Sequence, residues 1–246
     1  MTESHFHDPA DMKNMTVLRR NVPESFGAFA AFDASALRGE SNIIDRKYLE
    51  LMAAAVGLTT QCVYCIEGHV RAATQEGATT AEVSETVMIV AALRAGGGFV
   101  HGLHSLSYAT ALEAGSAAGA ARDDGSAKAG AMAALRKGAP SSFSAFVDFN
   151  NAALKGESRV IPRKETELIA VSVALTTQCE DCLKTHTAAA VEEGASTAEL
   201  AEATFVATAL RAGAGLAHGL MALKFHLDES GKVATSEESI SVGVTG

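Results

Sequence analysis

Apolar side chains along this chain recur at helical spacing and then stop at punctuation residues. Phe26, Phe29, Ala30 and Leu37 form one apolar stripe that ends at Gly39, the pattern of an amphipathic helix closed by a helix breaker. Leu49, Met52, Ala53 and Val56 predict a second helix from about Arg46 to Val56. A third is expected to start at Thr59 or Thr60, either of which can cap it, and to stop at Gly77. A fourth opens with Thr79-x-x-Glu82, the capping-box spacing in which a hydroxyl and a carboxylate satisfy backbone N–H groups reciprocally. A last helix is expected from the Gly96-Gly97-Gly98 region, carrying His101. No two segments alternate as paired strands would, so the predicted fold class is all-α.

The whole pattern then happens again. Shifted by 117 residues, the chain falls on itself without a gap: Phe26, Phe29 and Phe32 land on Phe143, Phe146 and Phe149, and Thr59-Thr60-Gln61-Cys62 lands on Thr176-Thr177-Gln178-Cys179. Arg94 and His101 recur as Arg211 and His218, and the capping box recurs as Ser196-x-x-Glu199. Pro162 stands where the first copy has Asp45 and suits the first turn of a helix. The expected organisation is a first helical domain over 14–110, a linker over 111–130 rich in Ala, Gly, Ser and Asp, a second helical domain over 131–228, and a polar tail over 229–246.

Composition narrows the function classes. Hydrophobic residues make up 48%, enough for a sizeable core, while four Pro and many Ala favour helix. A formal net charge of −9 argues against nucleic acid or an anionic membrane as partner. Charges, glycines and histidines interrupt each apolar run, so no membrane span is expected. The polar start, Met1 to Asn14, lacks the pattern of a signal peptide, so a reducing, cytoplasmic location is the expectation. Arg94 and Arg211 are expected to hold helix ends or subunit contacts, and His101 and His218 to pack or line a site.

All four cysteines fall in two Cys-x-x-Cys pairs, Cys62/Cys65 and Cys179/Cys182. In a reducing compartment that pairing suggests redox or metal chemistry. His69 and His186 follow four residues after each second cysteine. On one helix, offsets of 0, 3 and 7 place both sulfurs and the imidazole within an arc of about 60°. Each histidine is then positioned to accept a thiol proton. Cys62, expected in the first helical turn, would gain thiolate character from the helix N-terminus. Glu50 and Glu167 each precede the first cysteine by twelve residues, inside an otherwise apolar helix, where a carboxylate can orient a histidine or pass protons. Asp181, between the second pair, is expected to disfavour a thiolate there by charge repulsion.

These residues, Glu50…Cys62-Val63-Tyr64-Cys65…His69 and Glu167…Cys179-Glu180-Asp181-Cys182…His186, resemble the active-site motif of the AhpD-like alkylhydroperoxidases of the carboxymuconolactone decarboxylase superfamily, in a tandem form. The resemblance implies an all-helical fold and reduction of a hydroperoxide substrate without haem, metal or other cofactor, at the expense of a thiol or dithiol reductant. It implies that Cys65 and Cys182 attack the peroxide, that Cys62 and Cys179 resolve the product as a disulfide, and that the Glu and His residues form a proton relay. Some members carry a further histidine between the cysteines, where this chain has Tyr64 and Asp181. Related single-domain proteins form rings of six, so a homotrimer is expected. The tail segment Ile240-Ser241-Val242-Gly243-Val244 is expected to be extended and resembles the peptides that target cargo enzymes to encapsulin shells, which makes a shell protein a candidate partner and an encapsulin compartment a candidate location. Rival readings are a thiol–disulfide oxidoreductase, the lactone decarboxylase of the same superfamily, and a Cys/His zinc module.

Overall fold

The computed structural model describes residues 9–113, 115 and 125–241, with side-chain surroundings over 11–113, 115 and 127–231. Among these residues there is no strand. A 3-10 turn, Pro9–Asn14, leads into α1 (Met15–Asn21), α2 (Pro23–Arg38), α3 (Arg46–Thr60), α4 (Val63–Gln75) and α5 (Thr80–Glu113). The second half supplies α6 (Gly125–Gly138), α7 (Pro140–Lys155), α8 (Arg163–Thr177), α9 (Glu180–Glu192) and α10 (Thr197–Ser241). By the 117-residue offset, α2 to α5 correspond to α7 to α10, and the all-α expectation stands.

Helices α3 and α8 lie side by side at the centre, flanked by the long helices α5 and α10. Their apolar residues point all the way round, which suits only a helix enclosed on every side. Leu49 and each residue from Leu51 to Val56 are buried, as are Leu168 to Ala174 in the second copy. The outer helices cross over: α2 packs on α10 and α7 packs on α5. Glutamates fasten the crossing. Glu202 on α10 accepts from the backbone N–H groups of Ile43 (2.6 Å) and Ile44 (2.9 Å). Its counterpart Glu85 on α5 accepts from Val160 (2.6 Å) and Ile161 (3.2 Å). Each copy therefore orders the loop that precedes the other copy's central helix.

Both capping boxes form. Thr79 N–H donates to Glu82 Oε2 at 2.8 Å and Ser196 N–H to Glu199 Oε2 at 2.8 Å. Lys47 and Lys164, from the central helices, reach the same carboxylates at 2.8 and 2.6 Å.

Several expected boundaries are corrected. Thr59 and Thr60 do not open a helix; their hydroxyls donate back to Ala55 O and Val56 O at 2.8 and 3.0 Å, so they finish α3. The break comes at Gln61, whose φ of 59° is left-handed, and at Gln178 with φ 56°. The Gly96-Gly97-Gly98 run does not start a helix either. It lies inside α5, where packing outweighs the roughly 1 kcal/mol that each glycine costs a helix. Pro162 sits at the cap of α8, one residue outside it. The linker expected over 111–130 is helical at both ends, since α5 reaches Glu113 and α6 begins at Gly125. The tail does not leave the fold as an extended peptide after Asp228, because α10 continues without a break to Ser241; Val242 to Gly246 lie outside the described residues. Two helical stretches, Thr80–Glu113 and Thr197–Gly231, are long and apolar enough to cross a membrane, contrary to the sequence expectation. In each, about two-fifths of the most apolar window is buried inside the fold (39% and 44%).

Candidate dithiol sites

Each cysteine pair begins where a central helix ends. After the left-handed turn at Gln61, Cys62 takes the N-cap of α4, and its Sγ accepts from the Cys65 N–H at 3.2 Å. Cys179 caps α9 in the same way, with Cys182 N–H donating at 3.4 Å. The first cysteine is therefore the cap rather than part of the first turn. One consequence is burial: Cys62 and Cys179 are 0% and 1% exposed, whereas Cys65 and Cys182 are 9% and 8% exposed. The pairs are joined as disulfides Cys62–Cys65 and Cys179–Cys182, with Cα atoms 5.2 and 5.3 Å apart, a normal span for such a bond.

The glutamates reach these pairs from the neighbouring central helix. Glu50 Oε2 lies 2.7 Å from His69 Nδ1, and Glu167 Oε2 lies 2.7 Å from His186 Nδ1. The carboxylates are almost fully buried and the imidazoles partly open, at 18% and 13% exposure. A buried carboxylate on Nδ1 fixes the ring's orientation and leaves Nε2 as its outward nitrogen. In each copy the glutamate of the central helix thus meets the histidine that stands one turn beyond the second cysteine of the disulfide. Among the described residues, no three metal-ligating side chains converge on one point.

The surroundings differ. Asp181 does not stand uncompensated beside Cys182, because Lys128 on α6 donates to both its carboxylate oxygens at 3.0 Å. A cleft of about 340 Å³ opens over Cys179 and is walled by His101 and His104 of α5, with Lys128 and Lys184. His101 is thus site-lining, and it serves the copy to which it does not belong. His218 is half-buried on α10, the helix that packs on α4. Arg211 Nη1 lies 3.5 Å from Leu175 O, near the end of α8, and Arg94 is exposed.

Sequence reasoning missed Lys128, Arg163 and the paired Glu85 and Glu202. Arg163 sits four residues before Glu167, and its guanidinium Nη2 lies 3.2 Å from Glu167 Oε1. The recurring Arg46/Glu50 and Glu85/Glu202 offsets were visible in the duplication, but helical spacing alone does not say which exposed-looking charge turns inward.

The sequence model of the carboxymuconolactone decarboxylase family matches residues 23–107 and again 140–225. The chain belongs to this family. The two family segments cover α2 to α5 and α7 to α10, the helices that build the two sites. Among curated proteins, this chain is 41% identical over 64 residues to uncharacterized protein 4 of the cox locus of Paracoccus denitrificans, covering 26% of this chain and 58% of that one. It is 43% identical over 57 residues to an uncharacterized protein of Haemophilus influenzae, covering 23% and 49%. The chain spans about half the length of these relatives. A solved structure of a putative gamma-carboxymuconolactone decarboxylase subunit from Burkholderia xenovorans LB400 shares the fold with a TM-score of 0.65 over 91% of this chain and 92% of that one, at 21% identity.

Proposed function

We propose that this chain is a thiol-dependent peroxidase with two dithiol sites. The observation that carries the reading is the duplicated contact of a buried glutamate with a histidine on the cysteine helix, at 2.7 Å in both copies. A dithiol that served only structure would have no use for that relay. In the reduced enzyme, the His69 and His186 imidazoles take the proton of Cys65 and Cys182. The thiolate attacks one oxygen of the hydroperoxide, the O–O bond breaks, and the leaving alkoxide takes a proton to become an alcohol. The sulfenic acid formed on Cys65 then condenses with the Cys62 thiol, expelling water and leaving the disulfide. An external thiol or dithiol restores both thiols by exchange. The greater exposure of Cys65 and Cys182 supports their role as the attacking pair.

The family name and the Burkholderia neighbour favour a second reading, lactone decarboxylation. That reaction makes no use of a dithiol. Peroxide loss is measured with hydrogen peroxide and cumene hydroperoxide, with dithiothreitol as reductant, beside carbon dioxide release from a carboxymuconolactone. The expected result is peroxide consumption that falls to background in Cys65→Ser/Cys182→Ser. Carbon dioxide release that survives those substitutions, without peroxide loss, would give the second reading the field.

A further inference from the structure

The buried carboxylate of the second site is held at both oxygens, and that of the first at one. Glu167 meets His186 through Oε2 and Arg163 through Oε1. Glu50 meets His69 through Oε2, but among the described residues no donor reaches its buried Oε1. The difference is not one of sequence at the cation itself. Arg46 occupies the matching position, one turn before Glu50, yet its guanidinium goes to Glu76 at 3.2 Å. Arg163 makes the counterpart of that contact, Nε to Glu193 at 3.3 Å, and differs from Arg46 in that its Nη1 also donates to the backbone carbonyl of Leu154 while its Nη2 meets Glu167.

A buried carboxylate oxygen carries strong unmet demand for a partner. Glu50 Oε1 is free to meet that demand with a proton in transit, whereas the guanidinium already occupies Glu167 Oε1. We propose that Arg163 is a positioning residue of the second site that anchors Glu167, so that the two dithiols of one chain react at different rates, the first faster. This rests on the reading of the cysteines as reactive thiols. It assigns Arg163 no contact with substrate; the residue acts through Glu167 and His186.

The test uses the full chain with one site silenced. Cys179→Ser/Cys182→Ser leaves the first site, and Cys62→Ser/Cys65→Ser leaves the second. After reduction and removal of the reductant, alkylation of the remaining thiols by iodoacetamide follows their thiolate character. The second site is expected to react about fivefold more slowly than the first, the rate equivalent of one partly exposed ion pair. Arg163→Met is expected to raise the second-site rate by a similar factor, and Arg163→Lys, which keeps the charge, to leave it near wild type. Arg46→Met is expected to leave the first site within about twofold, since its charge does not reach Glu50. Equal alkylation of the two pairs in the unsubstituted protein, read peptide by peptide in a mass spectrometer, overturns the proposal without any arginine variant. So does an Arg163→Met protein whose second-site rate is unchanged or lower, or an Arg163→Lys protein that matches Arg163→Met. Because alkylation needs no peroxide, failure to consume peroxide would remove the peroxidase reading and leave this comparison standing.

Discussion

Around Cys65 the first copy places Tyr64 and Gly57; around Cys182 the second places Asp181 and Ala174. An added Cβ at Gly57 would sit 3.2 Å from Cys65 Cβ, closer than ordinary contact, yet the second copy packs Ala174 against Cys179 and Cys182. Lys128, which neutralises Asp181, corresponds by the same offset to Asp11, a buried acid. The Glu–His distance is nonetheless the same in both copies. Duplication has held the inner contact constant while the charges and volumes one layer out have diverged. The inner geometry is set by two helices crossing, which neither change disturbs; the outer layer sets how the same groups behave.

The largest expected effects test whether the inner contact is equivalent in the two copies. With the other site silenced, Glu50→Gln and Glu167→Gln should each slow peroxide loss by about a hundredfold, the usual worth of a positioned proton relay. A full-rate Glu167→Gln enzyme would break the equivalence there. Stability should then separate the copies by sign. Glu167→Gln removes the charge paired with Arg163 and should lower stability by about 1 kcal/mol, reduced from a buried-pair value because Arg163 is partly exposed. Glu50→Gln replaces a buried charge that has an unpartnered oxygen and should raise stability by about 1 kcal/mol. Shifts of opposite sign, about 2–4 °C each in the thermal midpoint, are the result that sharpens the contrast. Two shifts of the same sign would erase it.

A smaller effect concerns volume. Ala174→Gly should cost about 1 kcal/mol through helix propensity. Gly57→Ala should stay within about 0.5 kcal/mol of wild type, because displacement of Cys65 offsets the same gain. Denaturant midpoints for the two substitutions check this, and a mirror-image pair of values would mean that the copies are interchangeable at that position.

The smallest effect lies in the capping pairs, where the copies should agree. Lys164 and Lys47 are raised above 10.5, chiefly by hydrogen bonds to Glu199 and Glu82. Glu199 is lowered from 4.5 chiefly by the bond to Lys164; burial pushes Glu82 up, but Lys47 and Thr79 outweigh it. For the glutamates, the stabilisation is complete above 4.5 and is lost as pH falls through the lowered folded values. For the lysines, it is complete below 10.5 and is lost as pH rises through the raised ones. Lys47→Met and Lys164→Met should each cost about 0.5 kcal/mol at neutral pH and nothing in strong acid. Thermal scans at the two pH values read the difference.

The duplication made much of this visible in advance. Glu50 and Glu167 stood out as charged residues inside apolar helices, and the burial of α3 and α8 explains why: an acid there survives only if something meets it, and His69 and His186 do. The capping boxes were legible because their signal is local. The long continuous helices were not, since a glycine triplet breaks a helix in isolation and only tertiary packing holds α5 through it. The start of α4 was misplaced for a related reason. Thr59 and Thr60 have cap chemistry, but their hydroxyls turned back onto α3 and left Cys62 to cap. Lys128 and the crossing of the copies depend on contacts far apart along the chain, which no local pattern encodes; Arg163 stands at helical spacing from Glu167, but so does Arg46 from Glu50, and spacing does not tell which of the two meets its carboxylate.

The exchanged glutamates, Glu202 gripping Ile43 and Ile44 while Glu85 grips Val160 and Ile161, bear on how the molecule responds to dilution. If the halves were separate chains, each half would need a partner to order the loop ahead of its own glutamate helix, and the fraction of competent sites would rise and fall by mass action. Carried on one chain, the encounter is intramolecular, at an effective concentration that the connecting segment sets rather than the surrounding solution. The contacts that order the two loops are therefore made within one chain, without a concentration-dependent encounter between halves.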